Sequence, residues 1–108
     1  MDNTLETLYS VVLDRKANPQ EGSYTCYLFD KGLDKILKKV GEECAETIIA
    51  AKNDVLDDTV GEISDLIYHL MVMMVEKGIP LGDVMAELDR RAQKIGNLKQ
   101  MKQVDKES

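Results

Sequence analysis

Two acidic groups carry most of the chemistry this chain can do. The first is Glu42-Glu43-Cys44-Ala45-Glu46. The second follows after fifteen residues as Glu62-Ile63-Ser64-Asp65. Residues three or four apart share a helix face, so Glu42 and Glu43 both neighbour Glu46, and Glu62 neighbours Asp65. If the two helices pack antiparallel, four or five carboxylates meet across one groove. Left alone they repel and raise one another's pKa. A hard divalent cation such as Mg2+ removes that cost, because it takes oxygen ligands and shares its shell with water and substrate phosphates. Such a cation also orients an attacking water and lowers its pKa. Lys35, Lys38 and Lys39 lie one or two turns before Glu42. Cations at one end of a groove and metal-binding acids at the other suit a polyphosphate.

Plainer readings compete at each of these residues. An isolated E-E-x-x-E is usually a solvated helix face, and Lys39 to Glu43 is an i,i+4 pair that supports a helix without further purpose. The second acidic pair on the next helix is what shifts the balance toward a site. A di-iron carboxylate bundle needs two Glu-x-x-His motifs; this chain has one His, and Asp65 stands where the second type of ligand belongs. Any Ser-His-Asp arrangement must also pass through that single His69. It follows Asp65 by four, on the side of the acids, where it contacts a leaving phosphate or serves as a satisfied core residue, the commoner role. Cys26 and Cys44 read as small apolar fillers, and Met71, Met73, Met74 and Met85 as packing.

The elements that hold these residues are helical. Leu5, Leu8, Tyr9, Val12 and Leu13 give a helix over 4–16, capped by Asn3 or Thr4. A loop over 17–22 contains Asn18-Pro19 and Gly22. The stretch 23–29 has strand-like composition, but no partner strand exists, so a helical turn capped by Ser23 or Thr25 is expected. A helix from Asp30 or Lys31 to Asn53 follows, with Leu33, Ile36, Leu37, Val40, Cys44, Ile48 and Ala51 as its apolar stripe. The next opens at Asp57 or Asp58 and runs to Lys77, with Val60, Ile63, Ile67, Leu70, Met71 and Met74 facing inward. Gly78 suits its C-terminus. A last helix spans 81–94, with Val84, Met85, Leu88 and Ala92 apolar, and ends by Gly96. The expected fold is all-α: a four-helix antiparallel core in one domain over 1–96, and a polar tail over 97–108. The run 66–75 is apolar nearly all round and must be covered on every side, which predicts a homodimer built as a helical bundle.

Composition excludes other classes. The 108 residues carry a net charge of −6 and a pI near 4.7, against a nucleic-acid binder held by counterion release. There are no Trp and one Phe, too few for stacking platforms along a strand of nucleic acid. The run 66–75 is too short to span a bilayer. The first four residues are acidic and polar rather than leader-like, and two cysteines make no disulfide framework. A cytoplasmic protein is expected.

At the acidic residues the chain resembles the all-α NTP pyrophosphatase superfamily, whose signature is E-E-x-x-E, a spacer, then E-x-x-D. Within it the likeness is to the phosphoribosyl-ATP pyrophosphatase family of histidine biosynthesis. Gly22-Ser23-Tyr24-Thr25, the stretch from Lys35 through Lys38-Lys39-Val40-Gly41-Glu42-Glu43, Asp65-Leu66-Ile67-Tyr68-His69-Leu70, and Gly78-Ile79-Pro80-Leu81 with Glu87 to Arg91 carry it. The likeness covers roughly residues 4 to 95; the tail from Asn97 departs from the family's usual ending. The resemblance implies Mg2+-dependent hydrolysis of the α–β phosphoanhydride of phosphoribosyl-ATP, giving phosphoribosyl-AMP and pyrophosphate. It implies Glu43, Glu46, Glu62 and Asp65 as metal ligands. Glu42 would stand behind them or help orient or deprotonate the water. Lys35, Lys38 or Lys39 would meet phosphate, and Ser23 and Thr25 would close over the ligand or simply cap a helix. Two alternatives remain: a housekeeping (d)NTP pyrophosphatase of the same fold, and a non-enzymatic helical dimerisation module.

Overall fold

A computed structural model describes residues 3–95. Among these the chain is all helix: α1 (Thr4–Ala17), α2 (Tyr24–Lys31), α3 (Leu33–Asn53), α4 (Leu56–Lys77) and α5 (Leu81–Ile95), with no strand. The tail over 97–108, and with it the expected domain limit at 96, lies outside the described residues.

Five helices replace the expected four because the turn expected over 23–29 is a full helix that runs on to Lys31. Ser23 caps α2, its hydroxyl accepting from the Cys26 amide at 3.2 Å. Gly32 then breaks the run with φ 95, a conformation that side-chain-bearing residues rarely adopt. The helix expected from Asp30 or Lys31 thus starts at Leu33 instead, as α3, and the residues before Gly32 belong to α2. At the far end of α3, Asp54 takes the left-handed conformation (φ 60) as C-cap. Helix α4 begins one residue earlier than expected, after Val55, with Asp57 and Asp58 in the first turn where the helix dipole favours them. Gly78 ends it, also left-handed (φ 73), as expected of a residue in that place.

Helices α3 and α4, 21 and 22 residues long, form the most extensive pairing in the molecule. Their two-residue connection makes them antiparallel: Thr47 meets Glu62, equally far from the turn on either side, its hydroxyl 3.3 Å from the Glu62 carbonyl. The apolar core lies at the opposite end from that turn. Val12, Leu28, Ile36, Val72, Met71, Met74, Val75 and Leu81 are buried there, drawn from all five helices. Helix α5 adds Leu81 with Val84 and Met85 at the edge, while Tyr9 ties α1 to the α4–α5 connection by donating to the Ile79 carbonyl at 2.8 Å.

This arrangement bears on two expectations about burial. The run 66–75 is covered in good part within one chain: His69, Met71, Val72, Met74 and Val75 are buried and Leu66, Ile67, Tyr68, Leu70 and Met73 half-buried, with α1, α2 and α3 all packing against α4. Beyond the core, among the described residues, α3 and α4 pack chiefly on each other, and the apolar residues near their turn stay open. Ile48 is 69% exposed and Leu56 76%; Ile49, Val55, Val60 and Ile63 are exposed as well. The buried line of α3 is therefore Ile36, Glu43 and Ala50, seven residues apart each time, and not a stripe through Cys44, Ile48 and Ala51.

Candidate metal centre

That seven-residue line places an acid where a hydrophobic residue ordinarily sits. Glu43 is 5% exposed, facing α4. One carboxylate oxygen each from Glu43, Glu62 and Asp65 lie within 4.8 Å of one another. Glu46, one turn on from Glu43, lies against both Glu43 and Glu62. Four of the five acids singled out from the sequence thus meet across the α3–α4 groove. Glu42 does not join them: it points outward and pairs with Lys39 at 3.3 Å.

The electrostatics of the cluster are unfavourable as it stands. The Glu43 carboxyl is raised above its ordinary range, first by burial and then by Glu46. Glu62 is pushed up to about 7, by lost hydration and then by the neighbouring Glu46 and Glu43 carboxylates. Glu43 Oε2 and Glu62 Oε1 are buried with no hydrogen-bond partner among the described residues. Buried acceptors normally find donors; here each faces further acceptors, and the nearest cation, Lys39, reaches only the other oxygen of Glu43, at 3.7 Å. An added cation would reconcile these groups. The donor set is all oxygen, with no thiolate or imidazole, which suits a hard divalent ion such as Mg2+ and not zinc.

Of the three lysines, Lys39 alone among the described residues forms ion pairs with the acids, bridging Glu42 and Glu43. Lys35 is half-buried and Lys38 exposed. Ser23 is the α2 cap, and the Thr25 hydroxyl is joined to the Tyr68 phenol, so both side chains are engaged within the fold. The residue between them was not singled out from the sequence, only included in the stretch 23–25 expected to close over the ligand. Tyr24 lies in the field of Lys39, Glu43 and Glu42, and its phenol is 3.1 Å from His69 Nε2. His69 is buried, as a core residue would be, yet it touches the edge of the site through Tyr24. Only the G-S-Y-T resemblance pointed toward Tyr24; nothing in its spacing did.

The family model described as phosphoribosyl-ATP pyrophosphohydrolase matches residues 5–92. A phosphoribosyl-ATP pyrophosphatase of Clostridium novyi (strain NT) is 57% identical over 101 residues, 92% of each chain. That of Streptococcus thermophilus is 57% identical over 100 residues, 93% of this chain and 96% of the relative. The histidine biosynthesis bifunctional protein HisIE of Caldanaerobacter subterraneus is 62% identical over 90 residues, 83% of this chain but 44% of the relative.

Proposed function

The chain belongs to the phosphoribosyl-ATP pyrophosphohydrolase family, and on that premise we propose how its own residues carry the reaction. The enzyme hydrolyses the α–β phosphoanhydride of phosphoribosyl-ATP to phosphoribosyl-AMP and pyrophosphate, a step of histidine biosynthesis. Glu43, Glu46, Glu62 and Asp65 hold Mg2+. The observation that carries this is the pair of buried carboxylate oxygens, on Glu43 and Glu62, that no donor among the described residues reaches. When bound, Mg2+ supplies charge neutralisation at the phosphates and activation of water. Lys39, set in place by Glu42, meets the remaining phosphate charge, with Lys35 and Lys38 toward the far end of the chain of phosphates. Ser23 and Thr25 fix the α2 segment that borders the ligand. Displacement at phosphorus demands positioning and charge compensation more than a covalent nucleophile, and these residues offer the former.

The active unit in this reading is a cytoplasmic homodimer. The apolar surface near the α3–α4 turn, with Ile48, Ile49, Leu56, Val60 and Ile63 exposed, is where the second copy packs; contiguous apolar patches of this kind mark contact surfaces. Among the described residues no helix is long and apolar enough to cross a membrane.

Pyrophosphate release from phosphoribosyl-ATP, with and without Mg2+ and beside ATP and a dNTP panel, tests the assignment. Fast release from phosphoribosyl-ATP that needs Mg2+ is expected. Release only from dNTPs would move the enzyme to a housekeeping role with the same site, and silence on every substrate would leave a binding module.

A further inference from the structure

The hydrogen bonds of His69 determine what Tyr24 can offer a ligand. His69 Nδ1 is 2.7 Å from the Asp65 carbonyl oxygen. A carbonyl only accepts, so this contact selects the tautomer with the proton on Nδ1, in which Nε2 is an acceptor. The Tyr24 hydroxyl, 3.1 Å away, therefore donates to Nε2. A phenol has one proton, and this one is spent; the oxygen of Tyr24 has only lone pairs left to present. Phosphate oxygens also only accept and cannot use it. Ribose hydroxyls and the exocyclic amine of a base can.

Position supports the same conclusion. His69 stands one helical turn, about 6 Å, beyond Asp65. The Tyr24 ring is 45% exposed and stacks near-parallel with Tyr27, itself 42% exposed, at 6.0 Å. Both rings help line an open cleft of about 860 Å³ between the end of α1 and α2, a volume within the range of small-molecule sites. Tyr24 thus belongs both to the surroundings of the acids, in the field of Glu43, and to the wall of this cleft.

We propose that Tyr24 reads the nucleoside part of the substrate, its phenol accepting from a ribose hydroxyl or base amine and its ring packing against the base, with His69 as the positioning residue that keeps the phenol an acceptor. This rests on the nucleotide reading above and adds to it a determinant separate from the phosphate and metal groups.

The test measures two ligands by calorimetry on the full chain: AMP, which carries a nucleoside, and inorganic pyrophosphate, which does not. Tyr24→Phe removes one acceptor and weakens AMP roughly three- to tenfold. Tyr24→Leu removes the ring too and weakens it roughly 10- to 100-fold. Pyrophosphate binding stays within twofold in both. With phosphoribosyl-ATP, KM rises in parallel while kcat holds within threefold. His69→Gln, which retains a side-chain acceptor, keeps AMP affinity near wild type, whereas His69→Leu behaves like Tyr24→Phe. Equal losses for AMP and pyrophosphate, or undiminished AMP binding in Tyr24→Leu, would overturn the proposal; Tyr24 is half-exposed, so its variants fold. A wild-type chain that binds AMP but leaves phosphoribosyl-ATP intact refutes the substrate reading instead, and the AMP titrations still decide the role of Tyr24.

Discussion

Replacing Glu43 by Gln should make the metal-free protein more stable and the enzyme nearly inactive. Glu43 is buried on α3, its carboxylate within 4.8 Å of Glu62 and Asp65. Two like charges at that distance repel by about 1 kcal/mol under water-like screening and about 3 kcal/mol at the permittivity typical of protein surfaces. Well above pH 7, where Glu62 is ionised too, Glu43 bears two such repulsions and recovers one attraction of similar size from Lys39 at 3.7 Å. Neutralising it leaves a net gain of about 1–3 kcal/mol. The new amide also donates to acids that lack donors. For a domain of this length each kcal/mol raises Tm by about 4–8 °C. Thermal unfolding followed by circular dichroism in EDTA reads this directly. Adding Mg2+ should then reverse the order. A ligand at a hundred times its Kd adds about 2.7 kcal/mol to the wild type, and the variant, short of one ligand, gains far less. Its kcat/KM should fall by roughly 10²–10³-fold, the loss expected when a group compensating transition-state charge is removed. A metal-free variant less stable than wild type would refute the reasoning, since Glu43 would then be a structural acid that the fold already satisfies.

Three further outcomes follow from the same geometry. Asp65→Asn and Glu46→Gln should each lower kcat/KM by roughly 10²-fold or more while the helical circular dichroism is unchanged; full activity in both would remove the metal assignment. Glu62 is pushed up to about 7 in the folded chain against 4.5 ordinarily, so the folded state holds a proton the unfolded chain releases between those values. The stability tied to that proton is complete below about 4.5 and lost as pH rises through about 7. Metal-free melting temperature should therefore decline over that interval, Glu62→Gln should flatten the decline, and Mg2+ binding at pH 6 should release protons in calorimetry across buffers of different ionisation enthalpy. A rise in stability over the same interval would contradict the assignment. Lastly, Ile48→Asp or Leu56→Asp, at positions 69% and 76% exposed in one chain, should leave the fold intact and convert the expected dimer to monomer in sedimentation; an unchanged sedimentation coefficient would place the interface elsewhere.

The helices and the acidic pairing were legible because they rest on short-range rules. Apolar period, the Gly78 stop, the Asn53-Asp54 turn and the i,i+3 and i,i+4 grouping of the carboxylates all act within about one turn. The short α3–α4 connection then leaves little choice but antiparallel packing, which is enough to bring Glu43 opposite Glu62 and Asp65. The break at Gly32 was less visible, since helical periodicity runs on either side of it and only a single residue adopting φ 95 separates the two helices.

Which face of each helix is buried could not be read the same way. Periodicity ranks Cys44 and Ile48 above Glu43 as inward residues, and so it drew the stripe through them; the packing of α4 buries Glu43 and leaves Ile48 open. For the apolar run 66–75 periodicity could not say how much is covered within the chain, because that cover comes in part from α1 and α2, elements distant along the chain. Tyr24 and His69 are 45 residues apart, and no local signal joins them. The sequence by itself determined that this chain is helical, acidic and equipped with two carboxylate groups that an antiparallel pair must bring together. The tertiary structure alone decided which carboxylates lose water, which lysine reaches them and which phenol stands beside them, because burial and hydrogen bonding depend on neighbours in space, whereas propensity and periodicity act along the chain.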